Sequence, residues 1–156
     1  MPSTLTLFAR IEGSALAATI QGSSLLNGVL SGIHLLGLTL LLGSVLVTFV
    51  RLAGVFSEYP VEEVTRGARR GSLAGLALSL PSGLLLLAPR IVSAFENPTF
   101  RIKMALLCAA LVTHVAFQRR AAQGRWSLLP APAAGGLTLL LWFGVALAGL
   151  AFIFLE

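Results

Sequence analysis

Residues 24–51 read Ser-Leu-Leu-Asn-Gly-Val-Leu-Ser-Gly-Ile-His-Leu-Leu-Gly-Leu-Thr-Leu-Leu-Leu-Gly-Ser-Val-Leu-Val-Thr-Phe-Val-Arg. No charge falls between Ser24 and Val50. At roughly 1.5 Å per residue the run is long enough to cross a hydrocarbon core of roughly 30 Å with some tilt. Its polar and small residues are not scattered. Ser24, Asn27, Ser31, His34, Gly37, Ser44, Thr48 and Arg51 follow a three-and-four spacing interrupted only at Leu41, which is one face of an α-helix. A helix in lipid with one such face needs neighbours to cover it.

Three further apolar runs supply the neighbours. Span two extends from about Ser72 to Ala88, with Pro81 inside it and Pro89 closing it. A proline there removes one backbone hydrogen bond, frees the carbonyl of Ala77 and predicts a kink. Span three extends from about Phe100 to Gln118 after the turn signal Asn97-Pro98, and span four from about Gly135 to Leu155 after the breaker at 130–136. Each carries a stripe of its own: Ser72, Gly75, Ser79 and Ser82 in span two; Lys103, Leu107, Ala110 and His114 with Phe117 and Gln118 in span three; Gly135, Thr138, Trp142, Ala146 and Gly149 in span four. Four stripes predict an all-α, integral membrane four-helix bundle with a shared interior, as one transmembrane domain over 1–156. Gly28-x-x-x-Gly32 and Gly71-x-x-x-Gly75 are expected to let backbones approach closely.

Composition agrees. The 156 residues are 56% hydrophobic and 11% charged, with a mean hydropathy of +0.92, more apolar surface than a soluble fold of this size can hide. There is no Asp, and six Glu stand against ten Arg and Lys103, for a net charge of +5. The Arg residues lie between hydrophobic runs with no interleaved stacking aromatics, so they read as topology signals and contacts to anionic lipid rather than a nucleic-acid surface. Arg51, Arg66, Arg69, Arg70, Arg119, Arg120 and Arg125 fall on one side of the four spans; Arg10, Arg90, Arg101 and Lys103 fall on the other. That asymmetry predicts that both termini face away from the cytoplasm.

The N-terminus lacks the pattern of a signal peptide and is expected to remain. Over residues 4–21, Leu7, Phe8, Ile11, Ala15 and Ala18 oppose Arg10, Glu12 and Ser14, which predicts a short interfacial helix. Cys108 is the sole cysteine, so neither an intrachain disulfide nor a cysteine-cluster metal site can form. Nucleophilic hydrolysis is disfavoured, because no Asp exists and no Glu lies in a span to orient a histidine.

The two histidines carry the chemistry. An ionisable side chain in hydrocarbon costs roughly 3 kcal/mol on insertion scales and is a functional candidate by default. Imidazole is a common metal ligand, and one from each of two helices can hold a haem. His34 lies roughly 15 Å below the start of span one and His114 roughly 21 Å below the start of span three, an offset that tilt could absorb. Without a Cys-x-x-Cys-His motif, such a haem is b-type. The competing reading makes His34 a hydrogen-bond donor to a neighbouring helix and His114 an interfacial residue. Lys103 and Arg101, at the mouth of span three, either snorkel to headgroups or bind carboxylates such as haem propionates. Arg51 has the same two readings. Trp142 is expected to pack in the core.

Ile33-His-Leu-Leu-Gly-Leu-Thr-Leu-Leu-Leu-Gly43 followed by Arg51-Leu-Ala-Gly54, and Asn97-Pro-Thr-Phe-Arg-Ile-Lys-Met104 with His114 eleven residues after Lys103, resemble a group of small bacterial membrane proteins. The group includes uncharacterised four-helix proteins, the copper-resistance protein D (CopD) family and the membrane protoporphyrinogen oxidase (HemJ) family. The matching features cover roughly residues 24–150. The HemJ branch implies haem b, with His34, Lys103 and His114 at the positions that matter. The closest uncharacterised relatives are expected to place the third-helix histidine about one turn later, where this chain has Gln118. The CopD branch implies copper, for which Met104, Cys108 and His114 are the candidate ligands.

These readings converge on a membrane redox protein holding one haem b between spans one and three. His34 and His114 would be its ligands, and Lys103, Arg101 and Arg51 would position propionates or a quinone headgroup. Ser31, Thr48 and Gln118 are candidate relay groups. Electrons would pass to or from a quinone or a partner protein. A copper or small-solute transporter and a structural subunit of a larger complex are the alternatives. No nucleic acid is expected as a partner, and an oligomer is left open.

Overall fold

The computed structural model describes residues 2–55, 57–123 and 130–154, and the side chains among these other than those of 2–4, 122 and 152–154. Arg125 of the charge count and Leu155, the expected end of span four, lie outside the described residues. Among the described residues every regular element is helical. In chain order these are α1 (Pro2–Glu12), α2 (Ala15–Gly22), α3 (Ser24–Leu52), α4 (Val61–Leu87), a 3-10 turn (Ala88–Arg90), α5 (Ile91–Glu96), α6 (Pro98–Gln123) and α7 (Ala131–Phe154). Four segments, Ser24–Leu52, Val61–Glu96, Pro98–Ala121 and Ala131–Ala151, are long and apolar enough to cross a membrane. The chain is a multi-pass, all-α membrane protein.

Local chemistry sets the helix ends. The Ser23 hydroxyl accepts from Leu26 N at 3.2 Å and caps α3. At its far end, Gly54 takes φ +95°. Gly54 N bonds Arg51 O and Val55 N bonds Val50 O, a Schellman closure that needs a residue without a Cβ. Pro98 opens α6, where its missing N–H costs nothing, and the Asn97 side chain accepts from Thr99 N at 2.8 Å. Pro132 lies in the first turn of α7 for the same reason. The helix therefore begins at Ala131, inside the stretch expected to break it.

Two further boundaries differ from expectation. Span two was expected to start near Ser72, but α4 starts at Val61. Arg66, Arg69 and Arg70 interrupt hydropathy, not the helix: they are exposed on turns whose backbone bonds are already made. α4 also runs unbroken through Pro81. The expected helix over 4–21 is two helices, parted at Gly13-Ser14. Ser14 caps α2 by accepting from Ala17 N at 3.2 Å. α1 does not simply lie on lipid: Phe8 stacks on Phe95 of α5 at 4.6 Å, and the Glu12 carboxylate accepts from Val92 N at 2.9 Å. We call this end of the bundle, with α1, α2 and α5, the upper end.

The long helices form a ring. α3 packs on α4 and α7, α6 packs on α7 and α4, and α3 and α6 face each other diagonally. Buried Leu41 and Val45 of α3, Ala110 of α6, and Trp142 and Val145 of α7 fill the centre. Leu25, Leu35, Leu36, Val112, Leu140 and Leu147 point outward, as lipid-facing side chains do.

α3 and α4 meet most closely. A Cβ added at Gly37 would lie 2.6 Å from Ser79 N and 2.8 Å from Gly75 O, and one at Gly75 would lie 2.7 Å from both Gly37 O and Leu41 N. One at Gly71 would collide with the Ser44 hydroxyl. Gly71-x-x-x-Gly75 is thus a packing motif inside the bundle. Gly28-x-x-x-Gly32, expected to act the same way, is not. Both glycines are exposed with nothing in front of them, because they lie on the opposite side of α3 from Gly37. Gly37→Ala and Gly75→Ala should each destabilise the bundle by about 1–3 kcal/mol through overpacking, whereas Gly32→Ala should be neutral or mildly stabilising through helix propensity. Thermal unfolding of the three variants in detergent checks this ordering.

Candidate functional site

The interior has two polar stations. The upper one is built on His34. Its Nδ1 lies 2.8 Å from the Ser79 carbonyl oxygen and 3.2 Å from the Ser82 hydroxyl. A carbonyl only accepts, so Nδ1 carries the proton and donates to it, and Nε2 is left with its lone pair. The Ser82 hydroxyl donates to Leu78 O at 2.5 Å. Gly83 completes the seat: a Cβ there would lie 2.9 Å from the His34 ring. The close approach at Gly37 and Gly75 is what brings the imidazole within reach of the α4 backbone.

Lys103 lies above this station, eleven residues or roughly 16.5 Å up α6 from His114. It is half-buried on the inner face of α6, and its chain lies against Gly149 of α7, where an added Cβ would be 3.4 Å from Nζ. No ion pair or hydrogen bond holds its ammonium among the described residues. Around this station the inner-face residues Ser31, His34, Leu38, Lys103, Leu107, Ala148 and Gly149 are only partly buried. In the lower half Leu41, Val45, Thr48, Ala110, His114, Phe117, Gln118, Thr138 and Trp142 are closed off. The upper half is therefore less completely covered on α3, α6 and α7 than the lower half, although Ser79 and Ser82 of α4 are buried there.

The lower station contains His114, Trp142, Gln118 and Ser72. Gln118 Nε2 donates to Ser72 Oγ at 3.3 Å, joining α6 to α4. The His114 and Trp142 rings meet edge to face with centroids 6.0 Å apart. The two residues are 3% and 2% exposed, yet His114 Nδ1 and Trp142 Nε1 find no hydrogen-bond partner. Thr48 and Thr138 turn back on their own helices, donating to Ser44 O at 3.0 Å and Ala134 O at 2.8 Å. Thr48 is thus tied up locally, while Ser31 is half-buried without a partner among the described residues.

The two histidines do not converge. Along α4, Ser72 and Ser79 are separated by roughly 10.5 Å, and His114 sits one turn, or roughly 6 Å, above Gln118. His34 and His114 thus differ in height by only roughly 4.5 Å. What parts them is the diagonal. At the level of His114, α3 presents Leu41, whose backbone touches Gly75, and Trp142 occupies the space beside the His114 ring. A porphyrin ligated by both histidines does not fit this packing. Of the groups a haem would need, the upper station offers an imidazole whose Nδ1 is committed to a carbonyl, leaving Nε2 as the atom that could ligate, and a lysine with no acid beside it among the described residues.

The remaining expected site residues lie elsewhere. Arg51 Nε and Nη2 donate to Tyr59 O at 3.0 and 2.8 Å, so this arginine pins the loop between α3 and α4 at the lower end. Arg101 is exposed at the upper end. Met104 packs against Ala94 and Phe100, Cys108 is exposed and His114 is buried, so the three candidate copper ligands are not brought together. No group of three or more His, Cys, Asp or Glu is placed to share a metal among the described residues. The seat formed by Ser79, Ser82 and Gly83 was not assigned to His34 from the sequence, although the first two stand in the span-two stripe.

The two histidines should respond differently to removal. His34→Ala loses an interhelical bond and should cost about 1 kcal/mol or less. His114→Leu removes a buried nitrogen with no partner and should be neutral or stabilising. Paired thermal melts of the detergent-solubilised variants test this, and a larger loss at His114 would contradict it.

No curated protein and no solved structure matches this chain. A family model does, over residues 13–154, which takes in α2 through α7 and both stations. The chain belongs to that family, the family of unknown function DUF6644.

Proposed function

We propose that this chain is a membrane electron-transfer protein whose working site is the upper station, where His34 alone ligates a haem b. The observation that carries this reading is the 2.8 Å bond from His34 Nδ1 to the Ser79 carbonyl. A metal-binding histidine characteristically gives its other ring N–H to such an acceptor, which fixes the tautomer and the ring plane. Lys103, half-buried and without an acid to pair with among the described residues, would take a propionate. A bound haem would supply one-electron exchange, with a quinone or a partner protein as the other party. The resemblance of the His34 and Lys103 segments to haem-binding members of the CopD and HemJ group supports the same reading. So does the charge asymmetry, which would place this station on the periplasmic side of a bacterial inner membrane.

Another reading is favoured by the same bond. A histidine that ties α3 to α4 needs no cofactor, and the chain would then be a structural subunit of a larger complex. Copper transport has less support, since Cys108 is exposed while His114 is buried.

Absorption spectra of the protein purified in detergent from haem-replete cells, oxidised and then reduced, separate these readings. A b-type spectrum is expected, abolished in His34→Ala, weakened in Lys103→Gln and retained in His114→Leu. A colourless protein would overturn the haem reading and leave the structural and copper readings, which metal analysis distinguishes. Loss of the spectrum in His114→Leu would overturn ligation by His34 alone.

A further inference from the structure

Of the four helix contacts that close the ring, the one between α4 and α6 is the thinnest. The glycines of α4 draw it toward α3: Gly71 faces Ser44, Gly75 faces Gly37 and Leu41, and Gly83 faces the His34 ring. α4 meets α6 through Ser72, whose hydroxyl accepts from Gln118 Nε2 at 3.3 Å. Outside that seam one side of α6 is left uncovered. Leu111, Val112, Val115, Ala116 and Arg119 line a groove there with a volume of about 440 Å³. Val112 is 71% exposed and Val115 44%, and the small side chain of Ala116 leaves a hollow between Val112 and Arg119.

The groove has an apolar wall and a cationic foot. Leu111, Val112, Val115 and Ala116 offer only hydrocarbon. Arg119 is exposed, with no ion pair or hydrogen bond among the described residues. It stands two residues from the end of the membrane-crossing segment Pro98–Ala121, the level of lipid headgroups. Val115 and Val112 stand four and seven residues further in, or roughly 6 and 10.5 Å. No carboxylate lines the groove. Glu62 and Glu63 lie in the first turn of α4, roughly 13–15 Å along that helix from Ser72. The charge around Arg119 is of one sign: Arg120 follows it, and Arg69 and Arg70 are exposed within a turn of Ser72 on α4. A guanidinium is a planar fork suited to phosphate oxygens, and surrounding positive charge favours a headgroup of net negative charge over a zwitterionic one.

We propose that this groove seats one anionic phospholipid, its phosphate on Arg119 and an acyl chain along Leu111, Val112, Val115 and Ala116. Arginines at the membrane surface attract anionic headgroups in general; the apolar hollow directly above this one fixes where the lipid lies. A second copy of the chain is the poorer occupant. Two-fold symmetry would set the same patch on both copies and bring a second Arg119 to the same height, like charge against like. The proposal does not depend on the cofactor reading.

The full chain, purified in detergent, is given phosphatidylglycerol or phosphatidylcholine, and bound lipid is counted by native mass spectrometry. The expected result is retention of phosphatidylglycerol at least several-fold above phosphatidylcholine. That preference should be lost in Arg119→Gln. Retention should fall several-fold in Ala116→Trp, which fills the hollow and keeps the arginine. Both positions are exposed, so neither change disturbs the core. Arg66→Gln removes the same charge from an exposed residue at the same end and should keep the preference; equal loss there would reveal diffuse surface charge and overturn the site. Full retention in Ala116→Trp would reduce the contact to a bare arginine and overturn the groove. Displacement of the lipid by millimolar inorganic phosphate would identify a free-anion site and overturn the lipid assignment. A lipid-free dimer that Ala116→Trp dissociates would give the groove to a second copy. An unchanged preference in Arg119→Gln would overturn the proposal altogether.

Discussion

The close approach of α3 and α4 at Gly37 and Gly75 is the constraint on which the interior depends. With no side chain at either position, each backbone passes within van der Waals distance of the other. Lipid tails are as apolar as leucine, so helices in a bilayer gain little from burying apolar surface, and tight packing of this kind is a main source of association. At this separation a short imidazole on α3 can reach a main-chain carbonyl on α4. A wider gap would leave that bond unmade and the His34 ring free to turn. The glycines are therefore part of the histidine's chemistry, although neither touches its working nitrogen.

The bundle divides across its length. Below Gly37 and Gly75 it is closed by Leu41, Val45, Ala110, Trp142 and Val145. Above that layer the inner residues of α3, α6 and α7 are only partly covered, while Ser79 and Ser82 of α4 are buried. The ionisable groups are sorted accordingly. His34, its Nε2 lone pair uncommitted, and Lys103, without a counter-ion among the described residues, lie in the less covered half. His114 lies in the closed half, its ring against Trp142. A buried nitrogen without a partner carries a desolvation cost, so the lower station is the one polar feature of the core whose hydrogen bonding the described residues do not complete.

Much of this was legible in the sequence, and what was not has definite causes. The stripe of Ser72, Gly75, Ser79 and Ser82 marks the inner face of α4 because a period of three and four leaves little choice once lipid surrounds the helix; all four are buried. The start of α4 was hidden, because hydropathy reports which turns lie in hydrocarbon and not where helical hydrogen bonding begins. Gly28-x-x-x-Gly32 misled because small residues can face a partner on either side of a helix, and spacing does not say which. The pairing of His34 with His114 rested on height, which the structure supports to within a helical turn. It failed on ring order: nothing in four separate stripes tells which two helices are neighbours and which are diagonal. Leu41 breaks the polar stripe of span one, and it is this residue that fills the space across from His114.

The position of Lys103 has an electrical consequence. It stands five residues into α6, or roughly 7.5 Å along the helix; with Pro98 taken as the edge of a hydrocarbon core of roughly 30 Å, that is about a quarter of the way through. Charge moved through that depth crosses a matching share of the transmembrane voltage, and a full crossing is worth about 2.3 kcal/mol per elementary charge at 100 mV. An electron or anion drawn to the depth of Lys103 would therefore be held at an energy that shifts by roughly 0.6 kcal/mol when a 100 mV potential is imposed. The energised state of the membrane would enter the binding equilibrium directly, with no moving part.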